Sequence, residues 1–131
     1  MQEGEFHGAV GIRAPPGING FALYVGGDVW AKTYRAANPP WADFVFDEQY
    51  DLPTLEEVEQ HIRQHKHLPD IPSEAEIKKE KGIDLAVINA KLLQKIEELT
   101  LYLIDQNKRL QAVEQTNREL QQKIQTLTTH D

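Results

Sequence analysis

Apolar side chains recur with a seven-residue repeat along the last third of the chain. When position a of the heptad is placed at 89, 96, 103, 110, 117 and 124, ten of the thirteen a and d positions are apolar. These thirteen positions, called the seam below, are Leu85, Asn89, Leu92, Ile96, Leu99, Leu103, Gln106, Leu110, Val113, Asn117, Leu120, Ile124 and Leu127. A single register held without interruption is typical of a left-handed coiled coil. The pattern predicts one continuous helix over 85–127, roughly 65 Å long.

The seam needs partners from outside the chain. The other predicted elements are too short to cover a rod of this length, so copies of the same chain must bury it. The polar positions Asn89, Gln106 and Asn117 favour a fixed register and a parallel orientation. Mixed Ile and Leu at position a with Leu at position d permits a dimer or a trimer, and an asparagine at position a favours a dimer.

The first half of this helix is apolar on more than one face. Several large side chains lie outside positions a and d, namely Ile88, Leu93, Leu101, Tyr102 and Ile104. From Leu110 onward the outer positions are nearly all polar. We therefore expect the preceding segment to pack around the base of the helix and the remainder to project as a solvated stalk.

Two capping boxes mark the starts of two shorter helices in the middle of the chain. Thr54 is followed by Glu57, and Ser73 by Glu76, so that each pair of side chains can satisfy unpaired N–H groups at a helix start. The predicted helices span about 55–66 and about 74–81. Residues 67–72 between them must be extended, because a residue before proline avoids the α region.

The junction with the long helix carries its own signals. Gly82 is predicted at the C′ position of the second short helix, where glycine tolerates the left-handed conformation. Asp84 is predicted to cap the long helix.

The densest aromatic cluster lies before the short helices. It contains Trp41, Phe44, Phe46 and Tyr50, together with Val45. We interpret this cluster as core beneath the short helices rather than as a ligand pocket.

The start of the chain has the features of β structure. Residues 21–25 and 29–34 are rich in β-branched and aromatic side chains, and two glycines followed by Asp28 separate them. A two-residue hairpin would pair Val25 with Asp28, Leu23 with Trp30 and Phe21 with Lys32. An apolar patch at 9–12 would add a short strand. No later strand covers this hairpin, so the middle segment or other copies must bury it.

These patterns together predict an elongated α+β fold. It has an N-terminal β-hairpin region, short helices, and a long C-terminal helix that forms a parallel homo-oligomeric coiled coil. The three parts are a hairpin segment at 1–40, an aromatic and short-helix cap segment at 41–82, and the coiled-coil helix at 83–131. None has the pattern of an independent globular core.

Composition argues against several functions. The net charge is −7, with 14 basic and 21 acidic residues, so a nucleic-acid partner is not expected. The sequence has no run of eighteen apolar residues, so a membrane span is not expected. It has no cysteine, which excludes disulfides and thiolate metal ligands. The acidic residues Glu56, Glu57 and Glu59 suit the first turn of a helix better than paired-carboxylate catalysis. We therefore expect neither an enzyme nor a cofactor.

Three histidines form the only candidate metal site. His61 and His65 lie four residues apart on one predicted helix, and His67 follows. Imidazoles in this arrangement could surround a divalent metal. The spacing lacks an accompanying carboxylate pattern, so solvated histidines at a helix end are the preferred interpretation.

Several stretches resemble, in the same order, the C-terminal part of bacterial and phage tail-fibre-like surface proteins. They lie at 10–12, 23–31, 41–46, 50–53, 55–59, 67–73 and 95–102. The resemblance covers about residues 10–105 and implies a fibre-terminal structural module, a parallel homotrimer with the dimer as alternative. It also implies an extracellular place, on a bacterial surface or a phage virion.

In phage fibres the equivalent place is often taken by a self-cleaving intramolecular chaperone with a catalytic serine. The only serine in this chain is Ser73, which the capping box already uses. We therefore expect a chaperone-like oligomerisation and registration module without self-cleavage. The alternative is a binding module, whose hairpin and aromatic surface contact a receptor or a fibre-assembly partner and whose coil multiplies weak sites.

Overall fold

A computed structural model describes Leu23 and residues 27–129. The chain divides into two compact units, Met1–Arg35 and Ala36–Asp131, and all three helices belong to the second. These helices are α1 (Leu55–His65), α2 (Glu74–Lys79) and α3 (Leu85–Thr128). Helix accounts for 59% of the described residues.

The predicted capping boxes are confirmed. At α1, the Glu57 N–H donates to Thr54 Oγ1 at 3.2 Å, and the Thr54 N–H donates to Glu57 Oε2 at 2.8 Å. At α2, the Glu76 N–H donates to Ser73 Oγ at 3.2 Å, and the Ser73 N–H donates to Glu76 Oε2 at 2.7 Å. These bonds satisfy donors that have no partner within the helix, so both starts are fixed by local sequence. Each helix begins where the sequence placed it.

The end of α2 differs from the prediction. Lys81, not Gly82, occupies the left-handed C′ position, with φ of 58°. The Lys81 N–H donates to the Lys78 carbonyl at 3.2 Å, and the Gly82 N–H donates to the Ile77 carbonyl at 3.1 Å. This is a Schellman motif shifted by one residue, in which Gly82 follows with φ of 148°. The prediction of Gly82 at C′ is wrong because α2 ends at Lys79 with Glu80 as its C-cap, so the C′ position falls on Lys81.

Helix α3 is confirmed as one continuous element of 44 residues. Asp84 caps it by accepting hydrogen bonds from the N–H groups of Ala86 at 2.8 Å and Val87 at 3.1 Å. Neither glycine nor proline interrupts it, and its length is roughly 65 Å. Among the helices of the described ranges, none has both the length and the apolar content to cross a membrane.

The predicted α+β class is wrong, since residues 27–129 contain no strand. The second predicted strand, 29–34, instead bends back on itself: the Tyr34 hydroxyl donates to the Val29 carbonyl at 2.8 Å. In an extended strand these residues would lie about 16 Å apart, beyond the reach of a tyrosine side chain. Trp30 is fully exposed, because an uncovered two-stranded hairpin is too marginal to persist. The first predicted strand and the patch at 9–12 lie largely outside the described residues.

The middle segment packs on the base of α3, as predicted. Tyr50 and Asp70 both make side-chain contacts with α3, and the Pro53 carbonyl accepts a bond from it. From Leu103 to Thr129 every residue is exposed. The described chain therefore has a packed base and a solvated stalk.

The predicted cluster is only partly buried: its member Val45 is buried and Tyr50 is half-buried, but its other aromatic rings are not core. Trp41, Phe44 and Phe46 are exposed, whereas Ala42 and Val45 are the only buried apolar residues of the described chain. The described part of the chain thus has almost no apolar core.

Candidate oligomer interface

The seam is uncovered along its whole length. All thirteen seam residues are exposed in the single chain, and the ten apolar ones each leave between 47% and 73% of their surface accessible. Continuous stripes of exposed apolar area are typical of protein–protein interfaces. The structure therefore brings the predicted residues onto one unoccupied stripe.

The hydrogen bonds between α3 and the middle segment avoid this stripe. The side chains that bond to the middle segment are Gln94 at position f, Lys95 at g, Glu98 at c and Tyr102 at g. No hydrogen bond in the described part of the chain joins the middle segment to an a or d side chain. The middle segment is therefore hydrogen-bonded to α3 through positions c, f and g, away from the seam.

A buried polar network attaches the middle segment to α3. Glu98 is only 5% exposed, and it accepts hydrogen bonds from the Tyr50 hydroxyl, from Gln94 Nε2 at 3.2 Å and from Lys95 Nζ at 2.9 Å. Lys95 Nζ also donates to Asp70 Oδ2 at 3.0 Å. Since Glu98, Tyr50 and Lys95 all have hydrogen-bond partners, the network holds the segment in one position on α3.

The network shifts the proton affinities of its members. Burial and the hydrogen bond to Glu98 raise the pKa of Tyr50 above its ordinary value. Burial disfavours the charged form of Lys95, but the bonds to Glu98 and Asp70 outweigh it and raise the pKa of Lys95. Both residues therefore keep their protons at neutral pH, which is the state that the network requires.

Tyr102 holds the start of α1 against α3. Its hydroxyl donates to the Pro53 carbonyl at 2.5 Å, two residues before α1 begins. Burial, and then the negative charge of Glu98, raise the pKa of Tyr102. The sequence identified Tyr102 as a large side chain outside positions a and d, but it did not predict the hydrogen bond to Pro53.

An apolar groove runs between α1 and α3 beside the seam. Its volume is about 520 Å³. One wall is formed by Pro53, Leu55, Val58, Leu68 and Pro69, and the other by Leu92, Lys95, Ile96, Glu98, Leu99 and Tyr102. The seam residues Leu92, Ile96 and Leu99 are thus shared between the coiled-coil stripe and this groove.

The three candidate metal ligands come together without forming a metal site. The ring centroids of His61 and His65 lie 4.4 Å apart, and that of His67 lies 5.4 Å and 6.0 Å from them. His67 Nδ1 is 2.9 Å from the Leu68 carbonyl and is engaged there. Residues 27–129 contain no group of three ligands that could hold a metal ion. Burial, followed by the neighbouring imidazoles, lowers the pKa of His61.

Sequence reasoning missed the Glu98 network and the groove. Glu98 occupies position c, which ordinarily faces solvent in a coiled coil, so nothing local marks it as buried. The sequence offered only an indirect indication. Leu101 and Tyr102 add apolar surface next to Glu98, and another part of the chain has to bury that surface.

Comparison with known proteins identifies no relative. No family model, no curated protein and no solved structure matches this chain.

Proposed function

We propose that this chain is a homotrimerisation and registration module at the C-terminal end of a tail-fibre-like or surface-fibre protein. The observation that carries the proposal is the exposed seam, with ten half-exposed apolar residues in one register. Each such side chain gains about 1 kcal/mol when its exposed half is buried. Copies of the chain can supply that burial because the stripe is complementary to itself.

Registration follows from the polar positions within the seam. Asn89, Gln106 and Asn117 are exposed in the single chain, and they find amide partners only when identical chains lie parallel and in register. Any axial slip would place an amide against leucine or isoleucine and leave it unsatisfied. The resemblance to fibre ends supports three chains. The mixed Ile and Leu core permits either two or three, and the asparagines at position a favour two, so the dimer is the alternative.

The module is chaperone-like without self-cleavage. The Ser73 hydroxyl accepts a hydrogen bond as the cap of α2, and the sequence contains no other serine. Its role is then to hold the ends of fibre chains together during assembly. An extracellular, cell-surface or virion location belongs to the same proposal.

Single cysteines test parallel registration, because the natural chain has none. Leu120→Cys at position d should form an interchain disulfide rapidly under mild oxidation, since parallel chains in register bring identical seam residues together. Gln122→Cys at position f, two residues away on the outer face, is the matched control and should stay reduced. Equal cross-linking of both variants, or of neither, would contradict the proposal.

A second candidate is a receptor-binding or adaptor module. The exposure of Trp41, Phe44 and Phe46 favours it, because exposed aromatic patches commonly bind partners. Acrylamide quenching of a Trp30→Phe variant, which leaves Trp41 as the sole tryptophan, distinguishes the two. Strong quenching in the assembled protein supports a binding surface, whereas protection supports burial between copies.

A further inference from the structure

The groove between α1 and α3 is continuous with the seam. Leu92, Ile96 and Leu99 belong to both, so a helix that packs on these three side chains also enters the groove. An α-helix is about 10 Å wide with its side chains. A helix of this width that packs on Leu92, Ile96 and Leu99 would therefore lie against the residues of α1 that line the same groove.

That opposite wall is apolar and free. Leu55 and Leu68 are exposed, and Val58 is half-buried. The charged lining residues, Lys95 and Glu98, are bonded to each other at 2.9 Å. The groove therefore presents no unpaired charge and suits an apolar occupant.

The heptad positions indicate which face of a neighbouring α3 helix would enter the groove. The groove lies on the g side of α3, where Lys95 and Tyr102 stand. In a parallel coiled coil the g side of one helix faces the e side of its neighbour. At the level of Leu99 and Tyr102, the e and b positions of a neighbour in register are Thr100 and Ile104.

Ile104 is otherwise unexplained. It is a large apolar residue outside the seam, and it remains exposed in the single chain. A neighbouring α3 would carry it to the level of Leu55. Two apolar side chains that the single chain leaves uncovered would then cover each other.

We infer that the α3 helix of a second copy occupies this groove, with its Ile104 against Leu55 of the first, so that α1 belongs to the subunit interface. This inference rests on the proposed function. The segment 41–82 would then contribute to the subunit interface in addition to packing on the base of α3.

A pair of matched charge substitutions tests the inference. Leu55→Glu places a carboxylate in the groove at the first residue of α1, where the helix dipole favours acidic residues. Ile62→Glu is the control on the same helix, because Ile62 is 40% exposed against 44% for Leu55 and does not line the groove. Sedimentation equilibrium should show about a hundredfold weaker assembly for Leu55→Glu and less than about a threefold change for Ile62→Glu.

Paired cysteines give a readout that does not depend on stability. A chain with Leu55→Cys and Ile104→Cys should close into covalent trimers on oxidation, because each chain links to the next. A chain with Ile62→Cys and Ile104→Cys should not. Unlinked or only internally linked chains, from a protein whose natural form does assemble, would overturn the groove inference alone. A natural protein that stays monomeric would overturn the proposed function with it.

Discussion

Replacement of Leu99 by asparagine should weaken assembly strongly. Full burial of a leucine side chain is worth about 1.5–3 kcal/mol, and Leu99 leaves 55% of its surface to be covered by other chains. The substitution therefore removes about 1 kcal/mol of apolar burial, and an amide buried without a fitted partner costs about 1 kcal/mol more. The total is about 2 kcal/mol for each protomer and about 6 kcal/mol for a trimer, or about four orders of magnitude in the dissociation constant.

Leu127→Asn is the control for this substitution. It makes the same chemical change at the same heptad position, but in the last turn of α3, where the helix end can fray and escape most of the cost. Sedimentation equilibrium over a dilution series measures both dissociation constants, and circular dichroism at high concentration verifies that α3 is retained. Equal weakening by the two substitutions would refute the reasoning, because the base of the coil would then contribute no more than its tip.

Three further predictions concern the middle segment and its contacts with α3. Lys95→Met removes the cation beside buried Glu98 and should lower the free energy of unfolding, measured by urea titration, by about 2 kcal/mol. The control Arg63→Met breaks an exposed ion pair and should change this free energy by less than about 0.5 kcal/mol. Comparable losses from the two substitutions would contradict a buried network. Tyr102→Phe should cost about 1 kcal/mol through the lost bond to a backbone carbonyl, and an unchanged urea midpoint would show that this bond is dispensable. The lowered pKa of His61 means that the unfolded chain binds the proton more readily than the folded chain, so this contribution to stability is complete above about pH 6.5 and is lost as the pH falls below it. Melting temperatures measured against pH should show this fall, and His61→Gln should reduce it. Identical slopes of melting temperature against pH for the two proteins would exclude His61 as the cause.

The helices were predictable because their determinants are local. Thr54 and Ser73 each find their capping partner three residues ahead, and Asp84 finds its partners in the next turn. The one error, at Gly82, arose because two hydrogen bonds of the Schellman motif offset the left-handed strain at Lys81. The seam was likewise readable as a residue pattern, because its period is a property of the helix alone.

The features that were missed depend on contacts between distant parts of the chain. The sequence placed Val45 in the core correctly, but only the packing decides that Ala42 is buried beside it in the chain while Trp41 and Phe46 stay exposed. The hairpin was inferred from two glycines and flanking β-formers, but hairpin stability needs a covering layer that the described chain does not supply. The position of Glu98 could not be predicted, because its burial depends on a segment 48 residues away.

The mass of the natural protein in solution tests the central claim, that copies of this chain bury the seam. Light scattering coupled to size-exclusion chromatography at micromolar concentration measures that mass without reference to molecular shape. The account predicts three protomers of 15.0 kDa each, about 45 kDa in total. A mass of 15.0 kDa at the same concentration would contradict it, because the ten apolar seam residues would then remain in water.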